Sequence, residues 1–358
     1  MLTMGIVGLP NVGKSTLFNS LLKTRKARAS NYPFCTIEPN VGIVEVRDER
    51  LFKLAEMAKA KKIVTASMEF VDIAGLAKNA SQGEGLGNQF LADIREVGAI
   101  LEVLRFFEDK DIVHVEGMID PKRDREIIEL ELILSDLAVV TKRIDKAHKL
   151  SRSGDKEEKR IFDAATKVKE VLDKGLLASS APLSEEEKFS LKSLSLLTIK
   201  PILYVANVDE EQLKTGSWQK LVDNPQDFVP ICAKIEEDLI DLNEEETKEY
   251  LKTLNSDKSG LDRLVIGSYK TLNLITFFTV GEKETRAWEL ERGSKAVDAA
   301  GKIHSDFARG FIRAEIINWQ ELLSCGSEFA AVEKGLIRGE GRDYMMQDGD
   351  CVNFKFNV

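Results

Sequence analysis

The sequence predicts an α/β domain that is interrupted by a helical hairpin and followed by a small α+β domain. Three observations predict this arrangement. Apolar runs alternate with amphipathic stretches up to about residue 115, a helical periodicity dominates residues 121–199, and short strand-like runs return near residue 274. The 358 residues exceed one average domain and fall short of three. With 43% hydrophobic and 31% charged residues, the composition is that of a globular protein.

The α/β part contains five apolar runs that indicate strands. They are residues 3–7, 42–46, 67–71, 99–106 and 200–206. The intervening stretches are long enough for crossover helices, which favours a mostly parallel sheet. The last run follows the helical segment, so the domain is predicted to comprise residues 1–120 and 200–275.

Residues 121–199 predict an inserted hairpin of two helices. Side chains recur at alternating spacings of three and four, as in the heptad of a coiled coil. These positions are Ile127, Leu130, Leu134, Leu137, Thr141, Ile144 and His148. After a break at residues 151–155, a second stripe is formed by Ile161, Ala165, Val168 and Leu172. The two stripes are expected to face each other.

Residues 276–358 predict a small α+β domain. Its strands are expected at residues 275–280, 285–290, 311–317 and 352–356, with a short helix over residues 294–303. The first two strands flank Gly281 and Glu282 and should form a hairpin.

Composition excludes several functional classes. No apolar stretch approaches the roughly 18 residues that span a bilayer, and the N-terminus has no basic region or cleavage site, so we expect a cytoplasmic protein without membrane contact. The four cysteines form no Cys-x-x-Cys pair, which argues against a disulfide scaffold or a zinc site. A net charge of −9, from 51 basic and 60 acidic residues, argues against wholesale coating of nucleic acid, and we expect no sequence-specific DNA binding.

The helical insertion differs from the rest of the chain because it is not acidic overall. It contains 16 basic and 15 acidic residues, a net charge of +1. Lys142, Arg143, Lys146 and Lys149 lie within two helical turns and form a candidate basic rim for RNA phosphates. The alternative is a solvated helix face.

Residues 8–15, with the sequence GLPNVGKS, match the phosphate-binding pattern G-x-x-x-x-G-K-[ST]. The motif lies between a predicted strand and a predicted helix, where its mechanism requires it. Glycines allow backbone N–H groups to turn toward phosphate oxygens, and the helix N-terminus adds partial positive charge. Lys14 is expected to reach the β and γ phosphates, and the Ser15 hydroxyl to bind Mg²⁺. The site is completed by Asn11, Val12, Gly13 and Thr16.

A second element of the site is expected where residues 70–75 (FVDIAG) end a strand with D-x-x-G. Asp72 can hold Mg²⁺ through water, and the Gly75 N–H can meet the γ-phosphate. Thr36 lies in the intervening loop, and its hydroxyl would complete the metal shell when a triphosphate is bound. The predicted metal ligands are therefore Ser15, Thr36 and Asp72.

The base is expected to bind after a late strand, where residues 207–210 (NVDE) stand in place of the N-K-x-D motif of GTPases. An aspartate at the last position would accept hydrogen bonds from N1 and N2 of guanine. With Glu210 and Val208 at these positions, the sequence lacks the contacts that make GTPases prefer guanine to adenine. Residues 230–234 (PICAK) are similar to the loop that backs the base. The predicted base-site residues are Asn207, Val208, Glu210, Cys232, Ala233 and Lys234.

Five motifs stand in the order of a known family. They are NVGKST at residues 11–16, YPFCTIEPN at 32–40, DIAGL at 72–76, HVEG at 114–117 and NVDE at 207–210. With them the chain resembles the YchF or Obg-like ATPases, P-loop proteins of the translation-factor-related class, over essentially its whole length. The resemblance implies a P-loop nucleotide-binding domain, a coiled-coil insertion at residues 121–199 and a C-terminal TGS domain, a ubiquitin-like β-grasp, at residues 276–358.

The resemblance also implies a function. It implies an ATPase that accepts GTP secondarily and associates with ribosomes. Ser15 and Thr36 would be Mg²⁺ ligands, and Val208 would lie against the base.

The group that orients the attacking water has three candidates. Leu76 follows D-x-x-G, where GTPases normally carry glutamine, and its side chain forms no hydrogen bonds. A K⁺ ion held by the Asn11 amide oxygen is one substitute. His114 is another, because histidine titrates near neutrality. A group supplied by a partner is the third.

These observations favour an Mg²⁺-dependent enzyme that hydrolyses ATP to ADP and phosphate and acts as a nucleotide-controlled switch on ribosomes. One alternative is an adenine-nucleotide sensor for which hydrolysis is incidental. The other is a GTP-specific translation GTPase, which Glu210 disfavours.

Overall fold

The computed structural model describes residues 3–28, 40–73, 85–109, 117–151 and 155–357. In chain order the strands are β1 (Thr3–Val7), β2 (Val41–Val46), β3 (Ile63–Val64), β4 (Ala66–Asp72), β5 (Ala99–Arg105), β6 (Ile202–Asn207), β7 (Phe228–Ile231), β8 (Leu274–Thr279), β9 (Thr285–Glu291), β10 (Phe311–Asn318), β11 (Arg338–Glu340) and β12 (Asp350–Phe356).

The helices are α1 (Lys14–Arg28), α2 (Glu49–Met57), α3 (Gly85–Glu96), α4 (Pro121–Ser151), α5 (Lys156–Leu172), α6 (Glu185–Leu191), α7 (Glu210–Thr215), α8 (Ala233–Asp238), α9 (Glu244–Thr253), α10 (Gly260–Thr271), α11 (Ala296–Ile303), α12 (Ser305–Arg309), α13 (Trp319–Cys325) and α14 (Glu328–Glu333). No helix in these described ranges is long and apolar enough to cross a membrane.

The chain forms two compact units. The first comprises Met1–Ile43 with Glu69–Leu264, and the second comprises Val44–Met68 with Val265–Val358. The boundaries predicted from the sequence placed residues 44–68 in the α/β domain instead. The structure groups them with the C-terminal residues because α2 buries its apolar face there and β3 pairs in parallel with β9.

A sheet with the strand order β2-β4-β1-β5-β6-β7 is the centre of the α/β fold. The pairs β4–β1, β1–β5, β5–β6 and β6–β7 are parallel, as predicted. Every residue of β5 is buried, which is typical of a strand covered on both faces. Because the strands are parallel, the carboxyl ends of β1, β4, β5 and β6 meet at one edge of the sheet, where ligands bind in such folds.

The inserted hairpin is formed by α4 and α5. Its predicted seam is correct in α5 but only partly correct in α4, where Leu137 and Ile144 pack against the hairpin core. Leu130 and Leu134 are 52% and 42% exposed, and Thr141 and His148 are exposed as well. The α4 residues that are buried in the hairpin core are Ile133, Val140 and Ala147, which keep the heptad spacing in another register.

A buried polar side chain explains the difference in register. The Asp136 carboxylate accepts hydrogen bonds from the backbone N–H groups of Leu197 and Thr198 at 2.9 and 2.8 Å, and from the Thr198 hydroxyl at 2.7 Å. A count of apolar residues misses such a position, since an aspartate is buried only when it is hydrogen-bonded.

The second unit contains the C-terminal β-grasp fold, with the strand order β11-β10-β12-β8-β9-β3. The pairs β8–β9, β10–β12 and β10–β11 are antiparallel, and β12 pairs with β8 in parallel. Helix α11 packs its alanines against the aromatic core of this sheet. The predicted strands and helix are confirmed to within two residues at each end, whereas β11 and α12–α14 were not predicted.

Candidate functional site

The glycine-rich loop connects the end of β1 to the start of α1, and its backbone explains two glycines. A Cβ atom on Gly8 would lie 2.7 Å from the carbonyl oxygen of Val103, so a larger residue would separate the loop from β5. Gly13 has φ +91°, and a Cβ atom there would collide with the Asn207 amide group. Asn11 also has a left-handed conformation, with φ 64°, which asparagine tolerates better than most residues.

Lys14 and Asp72 come together at the carboxyl edge of the sheet. The Lys14 Nζ atom lies 2.9 Å from Asp72 Oδ1 and donates a second hydrogen bond, of 2.5 Å, to the backbone carbonyl of Ile73. Ser15 follows in the first turn of α1 and is exposed. The predicted phosphate-binding residue Lys14 and the predicted metal ligands Ser15 and Asp72 therefore lie at the carboxyl edge of the sheet.

A cavity of about 970 Å³ opens beside this loop. It is lined by residues 9–11 and 13–16 of the loop and α1, residues 107–109 after β5, residues 207–210 after β6, and residues 232–235 after β7, with Asp238. This volume lies at the upper end of the range for small-molecule sites. The phosphate motif and the predicted base motif thus border the same cavity.

Asn207 ties these segments to one another. Its Nδ2 group donates to the carbonyl of Val12 at 2.9 Å, and its Oδ1 atom accepts from the backbone N–H of Ala233 at 3.2 Å. The side chain is buried. Both polar ends are therefore used to hold the phosphate loop and the start of α8 against β6.

Val208 and Glu210 occupy different environments. Val208 is buried in an apolar cluster with Phe106 and Trp218. Glu210 begins α7, and its carboxylate forms an exposed ion pair of 2.6 Å with Lys214. The exposed Glu210 carboxylate is thus the more accessible of the two at the cavity.

The loop after β7 supplies the opposite wall. Cys232 precedes α8 and is buried, and burial raises the pKa of its thiol above its usual range, which keeps it neutral. Ala233 is buried, whereas Lys234 is exposed at the rim of the cavity.

Residues after β5 were missed from the sequence. Phe107 lines the cavity, and its ring lies under the guanidinium of Arg105, whose Cζ atom is 4.5 Å from the ring centroid. Gln212 was missed too: its side chain donates to the Phe106 carbonyl at 2.9 Å and joins α7 to the same loop. No local motif identifies these residues, because their roles depend on how the strands align.

Other predicted residues lie outside the described ranges. These are Thr36, Gly75, Leu76 and His114. Their roles stay predictions.

The predicted basic rim on α4 is smaller than expected. Both terminal nitrogens of Arg143 donate to the Glu158 carboxylate, at 2.8 and 3.0 Å, and the Arg143 side chain is 15% exposed. Lys142, Lys146 and Lys149 are exposed. Of the four predicted residues, the three lysines are therefore exposed, whereas the charge of Arg143 is paired with Glu158.

A glycine-rich loop between a strand and a helix, with its lysine beside the carboxylate that ends a neighbouring strand, defines a P-loop nucleotide-binding protein. Residues 3–143 match the family described as 50S ribosome-binding GTPase. Residues 274–357 match the YchF-GTPase C-terminal family, described as a protein of unknown function.

Full-length relatives identify the family. The chain is 49% identical to the ribosome-binding ATPase YchF of Bacillus subtilis, with 100% of both chains covered. It is 46% identical to the protein of that name from Escherichia coli O157:H7, with 99% of both covered. The solved structure of the Schizosaccharomyces pombe YchF GTPase matches with a TM-score of 0.87 and 38% identity, covering 99% of this chain and 97% of that one. The chain belongs to the YchF family.

Proposed function

We propose that this protein is an Mg²⁺-dependent ATPase that also accepts GTP and whose nucleotide state controls its association with ribosomes. The observation that carries the proposal is that Lys14, residues 207–210 and the loop after β7 all border the same cavity. A triphosphate lying along this cavity would place its phosphates at α1 and its base at α7 and α8.

The charges at the phosphate end suit a metal-bound triphosphate. The ammonium of Lys14 and the carboxylate of Asp72 lie 2.9 Å apart, so a phosphate oxygen and a metal ion would each find an opposite charge there. The backbone N–H groups at the start of α1 add further attraction for phosphate. Transfer of the γ-phosphate depends mainly on such positioning and charge stabilisation.

The donors present fit Mg²⁺. The Ser15 hydroxyl and the Asp72 carboxylate are hard oxygen ligands, the kind that Mg²⁺ prefers, and Thr36 is the proposed third ligand. Bound Mg²⁺ would supply charge neutralisation to the β and γ phosphates. Asn11 borders the cavity and is the proposed contact for K⁺.

The residues at the base end of the cavity favour binding of ATP over GTP. An aspartate that would accept from guanine is replaced by Glu210, and the lysine that GTPases carry is replaced by the buried Val208. The names of the relatives differ on the nucleotide: the bacterial proteins are called ATPases and the fission yeast protein a GTPase. Direct comparison of the two nucleotides is therefore required.

The names of the bacterial relatives support a ribosomal partner. Ribosome binding would place the protein in the cytoplasm. On this chain the proposed contact for ribosomal RNA is the row of exposed lysines on α4, at positions 142, 146 and 149. Their spacing of four and three residues places them on one helix face.

A single-turnover assay tests the proposal against a nucleotide sensor. The protein is mixed in excess with labelled ATP, with and without ribosomes. An enzyme controlled by ribosomes releases phosphate faster in their presence, whereas a sensor stays slow in both conditions. Lys14→Ala should abolish hydrolysis, and Lys220→Ala, at an exposed position away from the cavity lining, is the matched control. Unchanged turnover in Lys14→Ala would reject the site.

A further inference from the structure

Arg105 is a buried arginine at the end of β5, on the edge of the sheet that carries the cavity. It is 1% exposed and lies opposite Asn207 in the β5–β6 register. Burying a guanidinium is costly unless its N–H groups are hydrogen-bonded. The partners of Arg105 therefore indicate what the residue does.

Two of these partners are backbone carbonyls of the loop that follows. The Nε group donates to the Phe107 carbonyl at 3.1 Å, and Nη2 donates to the Asp109 carbonyl at 3.3 Å. A planar guanidinium with several fixed donors can hold two carbonyls of one turn at once. Arg105 thus constrains the backbone of residues 106–109.

The same guanidinium constrains the Phe107 ring. Its Cζ atom lies 4.5 Å from the ring centroid, within the range of a cation–π contact. Phe107 Cε1 in turn lies 3.9 Å from the position that a Cβ atom would take on Gly13. The ring is therefore held between the buried charge and the phosphate loop, at the wall of the cavity.

We propose that Arg105 is a positioning residue for the nucleotide base: it fixes Phe107 as an apolar wall against which the purine packs. The inference rests on the proposed function. Arg105 itself lies behind the wall, since Phe107, Glu108 and Asp109 line the cavity and Arg105 does not. Its effect should therefore pass through Phe107 and depend on the base.

A double-mutant cycle with Phe107 measures this dependence. ATP affinity is determined by titration calorimetry for the full-length wild type, Arg105→Met, Phe107→Ala and the double variant. Each single change should weaken ATP binding by about tenfold, the scale of a desolvated cation–π contact. The double variant should bind no more weakly than Phe107→Ala alone. Additive losses would overturn the proposal, because they would show that Arg105 acts independently of the ring.

Steady-state kinetics supply a readout that a purely structural role would not produce. Arg105→Met should raise KM for ATP by about tenfold and leave kcat within about twofold, since the phosphate site is untouched. Arg95→Met is the matched control: Arg95 is a partly buried arginine of the same unit that donates to the Ser135 hydroxyl and does not line the cavity. A fall in kcat with unchanged KM would contradict the proposal.

Thermal unfolding of each variant separates misfolding from mispositioning. If Arg105→Met is unfolded, Arg105→Lys retains the charge without the planar fork and should show an intermediate loss of ATP affinity. Wild-type affinity in a folded Arg105→Lys variant would reject the positioning role. Failure of the wild type itself to bind ATP would instead reject the proposed function.

Discussion

Replacing Asn207 with alanine should damage both stability and nucleotide binding. The change removes two buried hydrogen bonds, of 2.9 Å to the Val12 carbonyl and 3.2 Å from the Ala233 N–H. Each backbone group left unpaired in the interior costs about 1–3 kcal/mol. Because both groups lose their partner, the free energy of unfolding should fall by about 2–6 kcal/mol.

The binding effect follows from the same geometry. Without the tether, the phosphate loop and the start of α8 are no longer held against β6, so ordering them is added to the cost of binding. We expect ATP affinity to fall by about tenfold, corresponding to about 1.4 kcal/mol.

Urea unfolding and ATP titration of the full-length protein measure the two effects. Asn353→Ala, at an exposed position of β12, is the matched control and should change neither value. If Asn207→Ala loses less than about 1 kcal/mol of stability, below the cost of one unpaired buried group, and keeps wild-type ATP affinity, the tether has no role.

Three further predictions concern other parts of the chain. Glu102 is fully buried in β5, and burial, reinforced by a neighbouring carboxylate, holds its pKa well above the usual range. The folded state therefore keeps this proton as pH rises, so the free energy of unfolding falls above about pH 4.5. In urea unfolding, the free energy of unfolding of Glu102→Gln relative to the wild type should increase by up to about 1.4 kcal/mol per pH unit until the folded pKa is reached. A constant difference in free energy between the two proteins from about pH 6 to 8 would contradict this. Joint replacement of Lys142, Lys146 and Lys149 by alanine should weaken ribosome co-sedimentation and lower its salt slope by up to about three, with ATP hydrolysis by the isolated protein unchanged; wild-type sedimentation at every salt concentration would leave these lysines as a solvated face. Turnover should rise when K⁺ replaces Na⁺, and Asn11→Ala should remove the difference; equal wild-type rates in the two salts would exclude the K⁺ role.

The sequence was informative wherever a local pattern determines the structure. Buried strands such as β1 and β5 are mostly apolar runs, and the phosphate loop needs its glycines where the backbone is left-handed or close to a neighbouring strand. The heptad spacing of α4 was also readable. The register of these heptads could not be predicted, because Asp136 is buried through hydrogen bonds to a segment some sixty residues away.

Long-range pairing explains the remaining differences. Helix α2 and strand β3 belong to the second unit because Leu51 and Leu54 pack against Phe278 and its neighbours, more than 200 residues along the chain. No local periodicity contains that information. One consequence is practical: deleting the chain after residue 274 would expose this apolar face, so ribosome contacts are better mapped with surface substitutions.

The base site was predicted by motif, and the structure refines what can be tested there. Val208→Lys would place a charge in the apolar cluster around Trp218. A loss of ATP binding in that variant could therefore arise from desolvation of the charge or from misfolding as well as from a changed base preference. Glu210→Asp changes an exposed side chain and is the cleaner test.

The affinities of the wild-type protein for ATP and GTP, measured side by side with Mg²⁺ present, test the central claim most directly. We predict that ATP binds at least as tightly as GTP, and that Glu210→Asp shifts the ratio of affinities toward GTP. Strong selectivity of the wild type for GTP would contradict it and would identify the protein as a GTP-specific enzyme.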